Sequence, residues 1–223
     1  IPCMESPLAD YLDDFTRRDW QTLAPDDVDD PVRVAVVGLG WFAREWALPG
    51  ISRSEFTEAT VVTDVDPDAV AGVAADRDLR GVTPEEFRAG AATDDYDAVY
   101  VATPNATHLE YVEAAAAQGK AVLCEKPLAA TPERAERLVA ACDDAGVPLM
   151  VGYRMQTDPA ARRLRDLIDA GFAGDVVNVH ATMSQTMLGE LGSDHDQWRL
   201  DPDLSGGCAL MDIGIYPLNT IRF

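Results

Sequence analysis

The sequence predicts an α/β chain: a doubly wound parallel sheet followed by the start of a second, truncated α+β unit. Three observations predict it. Short Val-rich runs alternate with helical stretches across residues 32–152. A glycine turn, Gly38-Leu39-Gly40, joins the first of those runs to a helix. After Gly152 the alternation stops, and one β-prone run at 175–182 has no later strand to pair with. A helix–strand–helix remnant cannot bury both faces of a sheet, so the expectation is a fragment of a longer protein.

Taken in order, residues 1–31 read as an acidic N-terminal extension ending in Asp26-Asp27-Val28-Asp29-Asp30-Pro31. Tyr11, Leu12, Phe15 and Trp20 place one short amphipathic helix in it. Val32–Val37 is a buried strand. Gly38-Leu39-Gly40-Trp41-Phe42-Ala43 then reads G-x-G-x-x-A between strand and helix. The first glycine allows the tight turn, the second lets the backbone approach a pyrophosphate, and Ala43 lets the helix pack on the strand. This helix runs to Leu48, where Pro49 is expected to stop it. Ala59–Thr63 is the second strand and ends at Asp64; Asp66-Pro67 opens the next helix as N-cap and N1.

Thr83-Pro84-Glu85-Glu86 is a capping box on a short helix. Asp97–Ala102 is a strand, followed by Thr103-Pro104-Asn105 and an Ala-rich helix that holds His108 and runs to Gln118. The strand Ala121–Cys124 runs into Glu125-Lys126-Pro127. Thr131-Pro132 caps a helix to Ala145, and Val147–Gly152 is the last strand of the sheet. Residues 32–152 are therefore expected to be a Rossmann-type dinucleotide-binding domain, and residues 153–223 the beginning of a substrate and oligomerisation domain. In that second part Asp158-Pro159 opens a helix to about Ala170, Asp175–Thr182 is a strand, and residues 186–205 are loop-like. A helix starting at Gly206-Gly207 puts Asp212 and Tyr216 on one face.

Composition excludes several functions. The formal net charge is −21, with 39 acidic against 18 basic residues, so a nucleic acid or an anionic membrane would be repelled. Only two of the basic residues are lysines, Lys120 and Lys126. A surface rich in Asp and poor in Lys suits concentrated salt, which points to a halophilic source. No apolar run approaches the roughly 20 residues of a membrane span. Cys3, Cys124, Cys142 and Cys208 form no C-x-x-C pair, and His108, His180 and His195 form no ligand spacing. The expectation is a cytoplasmic protein with reduced thiols and no metal.

The candidate site residues gather at strand ends. Gly38, Leu39, Gly40, Trp41 and Phe42 make the turn that meets a dinucleotide. Asp64 lies 24 residues after Gly40, near the roughly 20 expected of the acid that grips the adenosine ribose. It would repel a 2′-phosphate, and Val65 beside it brings no cation, so this local reading favours NAD over NADP. Thr103, Pro104 and Asn105 fall at a strand's carboxyl end, where ligands bind in open sheets. His108 could cap or orient there, although a lone histidine in a first helical turn is more often structural. Lys126 follows a buried strand, where it is either an ordinary solvated lysine or a compact cation for an anion or a developing oxyanion.

The motifs in this order resemble the glucose–fructose oxidoreductase / inositol dehydrogenase / MocA family. The resemblance rests on Gly38–Ala43, Asp64, Thr103-Pro104-Asn105 with His108, Glu125-Lys126-Pro127, and Gly206-Gly207 followed by Asp212-Ile213-Gly214-Ile215-Tyr216, and it covers about residues 32–223. Tyr216 stands where many relatives have His. Two blocks, Asp14–Gln21 and Gln197–Asp201, look most like the haloarchaeal D-xylose 1-dehydrogenase group, which implies NADP where Asp64 implies NAD.

The resemblance implies oxidation of an aldose at C1 to the lactone by hydride transfer to nicotinamide. Lys126, Tyr216 and Asp212 are the implied catalytic residues, with Tyr216 as base. Lys126, Asp212, Tyr216 and Arg154 are the implied sugar contacts. Glu125, Lys126, His108, Trp198 and Arg199 are implied beside the cofactor. It also implies association of like subunits through the second domain's sheet. The remaining alternatives are the same chemistry on glucose, a dihydrodiol or an inositol, and a nicotinamide-binding regulator without turnover.

Overall fold

A computed structural model describes residues 29–184, 197–207 and 209–222. The expected helix around Tyr11–Trp20, together with Cys3, His195 and Cys208, lies outside them.

Six parallel strands form one sheet in the order β3-β2-β1-β4-β5-β6. They are β1 (Val32–Val37), β2 (Thr57–Thr63), β3 (Arg80–Val82), β4 (Ala98–Val101), β5 (Ala121–Cys124) and β6 (Leu149–Val151). The helices between them are α1 (Leu48–Arg53), α2 (Pro67–Arg77), α3 (Pro84–Arg88), α4 (His108–Ala117) and α5 (Pro132–Ala145). This is the doubly wound order in which the chain reverses direction beside β1.

Alternation along β1 builds both halves of the core. Ala35 and Val37 face one side with Val61, Val99, Val101, Leu109, Val112 and Leu138. Val34 and Val36 face the other with Leu39, Ala43, Leu48, Val62 and Tyr100. Strands buried on both faces explain the near-continuous Val runs.

Register matters most for function. Val37 pairs with Thr63 and Val101, Val101 with Cys124, and Cys124 with Val151. Gly38, Asp64, Ala102, Glu125 and Gly152, the next residues along, therefore emerge at one edge of the sheet.

Most element boundaries match the sequence reading, and the exceptions have physical reasons. The short strand Arg80–Val82 carries only one buried residue and gives little pattern. Pro49 does not stop its helix. A π-helical turn at Ala43–Ala47 precedes it, and the widened hydrogen-bond ladder absorbs the missing N–H, so the helix continues to Arg53. The strand expected at Asp175–Thr182 is corrected. Residues 176–184 carry no regular structure and Val177 is 94% exposed. No strand among the described residues lies beside this stretch, and an unpaired β-prone segment has nothing to hold it extended.

The second part reaches back over the ligand edge. A 3₁₀ turn (Arg154–Gln156) and α6 (Pro159–Asp169) leave the sheet. A further 3₁₀ turn (Trp198–Leu200), α7 (Pro202–Ser205), a π turn (Leu210–Gly214) and α8 (Ile215–Arg222) follow. Gln156 Nε2 donates to Asn219 Oδ1 at 3.0 Å, tying the exit from β6 to α8.

Candidate active site

The glycine turn has the geometry its spacing implies. Gly38 has φ +94°, and a Cβ there would lie 2.8 Å from the Ala102 carbonyl, so only glycine fits between β1 and β4. A Cβ on Gly40 would meet nothing within 4 Å, which leaves open space at the helix start where a pyrophosphate fits. The Leu39 side chain is in the core, so its contribution to this edge is its backbone. Trp41 is exposed and Phe42 half-buried beside the turn. The Asp64 carboxylate is held across the turn: Leu39 N–H donates to Oδ2 at 2.6 Å and Asp66 N–H to Oδ1 at 2.9 Å. Val65, next to it, is exposed and apolar.

At the end of β4 the structure corrects the assignment of His108 to the cofactor surface. Its side chain is completely buried. Nε2 lies 2.8 Å from Thr103 O and Nδ1 3.1 Å from Leu128 O, so the buried ring packs between the loop after β4 and the loop after β5, a neutral ring donating to one of the two carbonyls. Burial lowers its pKa, and the two carbonyl contacts only partly oppose that. Asn105 is also inside, and its Nδ2 donates to Ser205 O at 2.8 Å. Gly206, φ +77°, sits so close that a Cβ would overlap the Ala130 backbone. Asn105 thus latches the second part onto the first.

The loop after β5 carries Glu125, Lys126 and Pro127, with a cis Lys126–Pro127 peptide. Tyr100 Oη donates to Glu125 Oε1 at 2.6 Å, and a Cβ on Gly152 would approach the same oxygen to 2.8 Å. Glu125 therefore packs beneath the loop. Burial first, then the Glu125 charge, pushes the Tyr100 phenol far above its ordinary range, so Tyr100 stays protonated. Sequence reasoning missed this pair. Its signal was a tyrosine near the end of a buried strand, whose hydroxyl needs a partner.

Lys126 projects to the second part, its side chain only 11% exposed. Nζ donates to Asp212 O at 2.9 Å and to Oδ1 at 3.3 Å. The Asp212 carbonyl is available because the π turn shifts the helical ladder just before Pro217, which has no N–H to give. Nζ also lies 4.5 Å from the centroid of the Tyr216 ring. Arg154 approaches the same ring at 5.2 Å, and Arg199 Nε lies 3.5 Å from Asp212 Oδ2. Arg199 also stacks on Trp198, 4.5 Å from its ring centroid.

Lys126, Arg154, Trp198, Arg199, Asp212 and Tyr216 thus come together above the sheet edge that begins at Gly38. Among the described residues no group of three or more His, Cys, Asp or Glu could hold a metal ion. Burial raises the pKa of both described cysteines, Cys124 and Cys142, and leaves them unreactive.

A parallel sheet in this order, a G-x-G turn and an acid after β2 define a dinucleotide-binding protein of the Rossmann type. Residues 32–153 match the oxidoreductase family with an NAD-binding Rossmann fold, GFO/IDH/MocA, and residues 161–223 match that family's C-terminal domain. The chain belongs to this family. It is 54% identical over 211 residues to the NADP-dependent D-xylose 1-dehydrogenase of Haloarcula marismortui, covering 94% of this chain and 58% of that protein. It is 34% identical to D-xylose 1-dehydrogenase (NADP) 2 of Haloferax volcanii, covering 84% and 55%.

Among solved structures it resembles an aldose–aldose oxidoreductase from Caulobacter crescentus complexed with glycerol, at TM-score 0.74 and 31% identity over 86% of this chain and 57% of that one. It also resembles a 3-ketoreductase from Actinomadura kijaniata in complex with NADP and TDP-benzene, at TM-score 0.70 and 32% identity over 85% and 56%. The chain spans little more than half the length of the relatives it matches.

Proposed function

We propose that this chain belongs to an NAD(P)-dependent sugar dehydrogenase that oxidises an aldose, D-xylose first among candidates, at C1 to the lactone. One observation carries the reading: Lys126 Nζ touches Asp212 and stands 4.5 Å from the Tyr216 ring, above the edge where Gly38 and Asp64 emerge. The names of the haloarchaeal relatives supply the sugar.

When bound, the nicotinamide accepts the hydride. The chain's residues do the rest. Tyr216 takes the proton of the C1 hydroxyl. The Lys126 ammonium stabilises the Tyr216 phenolate that accepts this proton, which leaves a neutral phenol, and donates a hydrogen bond to the sugar oxygen. Asp212 keeps Lys126 in place through its carboxylate and its carbonyl. Of the two tyrosines here, Tyr100 is buried and committed to Glu125, which leaves Tyr216 for proton transfer. In this reading the dinucleotide-binding unit is residues 32–152, and residues 153–223 open the substrate domain behind an acidic extension, 1–31.

The charge of −21 supports a protein of salt-rich cytoplasm that binds neither nucleic acid nor anionic membrane, and family resemblance supports association of like subunits. Among the described residues no helix is long and apolar enough to cross a membrane. The test is direct. Full-length protein is mixed with NAD or NADP and a panel of aldoses, and nicotinamide reduction is followed by absorbance. Reduction with D-xylose and recovery of xylonolactone is the expected result. Tight binding of reduced cofactor with no turnover on any aldose would instead make the protein a nicotinamide-responsive regulator.

A further inference from the structure

Among the described residues, Lys126 and Arg199 share the single carboxylate of Asp212, and a third cation near Tyr216, Arg154, has none. The Lys126 ammonium is paired with Asp212 Oδ1, and Arg199 takes Oδ2 of the same carboxylate. Glu125 is turned under the loop toward the protonated Tyr100, which also faces Tyr216 electrostatically. Arg154 has no carboxylate partner among the described residues, and its guanidinium lies 5.2 Å from the Tyr216 ring centroid. Its backbone is held at the end of β6, where Arg154 N–H donates to Gly152 O at 3.0 Å and Thr157 Oγ1 donates to Arg154 O at 2.8 Å. Among the described residues, the charged and titratable groups around Tyr216 are thus Lys126, Arg154, Asp212 and Tyr100, with Glu125 hydrogen-bonded to Tyr100 and Arg199 paired with Asp212.

We propose that Arg154 is a positioning residue acting through Tyr216. It adds a second positive charge to that of Lys126 in stabilising the phenolate, and among the described residues no carboxylate draws that charge away from the ring. The inference rests on Tyr216 as the proton acceptor. A cation at this distance in partly wet surroundings acts over about 0.5 to 1 pH unit, equivalent to roughly 3- to 10-fold in the ionised fraction. The guanidinium itself is exposed, which favours the lower half of that range.

The experiment compares the parent with Arg154→Gln, Arg154→Lys and Tyr216→Phe. Two readouts are taken in full-length protein: tyrosinate absorbance titrated as parent minus Tyr216→Phe, and the pH profile of kcat with D-xylose. Arg154→Gln is expected to move the Tyr216 titration and the rising limb of kcat upward by about 0.5 to 1 pH unit, with KM for the nucleotide unchanged. Arg154→Lys, which keeps the charge, is expected to restore both within about 2-fold. An unmoved limb in Arg154→Gln, an equal loss at every pH, or a Lys variant as impaired as Gln would overturn the proposal. The proposal for Tyr216 fails separately, if Tyr216→Phe keeps the parent's limb. The absorbance titration reads the Arg154 effect even if no aldose is turned over.

Discussion

Lys126 is one of two lysines in the chain, and its neighbours make it chemically unlike the sixteen arginines. Nζ is shared between Asp212 and the face of Tyr216, so under the proposed mechanism loss of Lys126 or Tyr216 is expected to remove proton transfer rather than binding. Lys126→Ala and Tyr216→Phe are each expected to lower kcat by ~10²-fold or more with nucleotide affinity nearly intact. Steady-state kinetics with a parallel fluorescence titration of reduced cofactor checks this, and near-parental turnover in both variants refutes the assignment. Asp64 raises a separate question of specificity. Both of its oxygens are fixed by backbone N–H groups, so the carboxylate cannot swing away from a 2′-phosphate placed beside it. The parent is therefore expected to favour NAD in kcat/KM, and Asp64→Ser to shift the ratio toward NADP by about 10-fold or more. The same ratio in both proteins would show that cofactor choice lies elsewhere. The two relatives named above as xylose dehydrogenases use NADP by name, which makes the measurement informative either way.

At the scale of elements, the sheet was readable because buried parallel strands announce themselves as Val runs, and the helices because Asp66, Thr83, Thr131 and Asp158 cap them as their types require. The grouping of Lys126, Asp212 and Tyr216 was expected only through family resemblance. Their 86-residue separation holds no local pattern. Two features were not readable at all. Both helices that flank the site contain a π turn shortly before a proline, at Ala43–Ala47 before Pro49 and at Leu210–Gly214 before Pro217. Periodicity sees a proline as a stop, whereas a widened turn lets the helix pass it. The buried His108 contact and the Asn105–Ser205 latch were equally hidden, because each joins loops by carbonyl contacts that any residue supplies. The latch predicts a contrast between two glycines of positive φ. Gly119→Ala meets no neighbour and is expected to cost only backbone strain, about 1 kcal/mol. Gly206→Ala adds overlap with the Ala130 backbone and is expected to cost about 2 kcal/mol or more, with loss of kcat as α8 lifts from Lys126. Equal urea midpoints for the two variants would show that the turn does not dock there. The buried His108 adds a pH term of definite sign. Burial lowers the His108 pKa from its ordinary 6.5, so neutral His108 belongs to the folded form. Its contribution is full above the ordinary value and is lost as pH falls toward the lowered folded one. Urea midpoints measured downward from pH 7 should fall faster for the parent than for His108→Gln; parallel curves would exclude the term.

Over the whole molecule, charge is the dominant fact. With 39 acidic and 18 basic side chains, 21 carboxylates stay unpaired even if every cation finds one. The described pairs Arg33–Asp97, Arg88–Glu110 and Arg137–Glu113 are partly exposed, and such pairs contribute little each. The excess repels itself across the surface, and the folded state, being compact, suffers more than the unfolded chain. The site gathers Lys126, Arg154 and Arg199 against this background, so the field of the remaining surface opposes the local positive charge that the proposed phenolate needs. Salt acts on both problems. Raising ionic strength from 0.1 to 1 M shortens the screening length from about 10 to about 3 Å, less than the spacing of most surface charges but similar to the contacts inside the site. Stability is therefore expected to rise with KCl while the short-range pairs at Lys126 persist. A gain of about 3 kcal/mol would appear as a melting midpoint higher by roughly 10 °C. Screening depends on ionic strength alone, so KCl and potassium sulfate should give one curve when plotted against it. If KCl leaves the midpoint flat and only sulfate raises it, the stabilisation comes from tighter apolar burial, and the acidic surface is not what salt relieves.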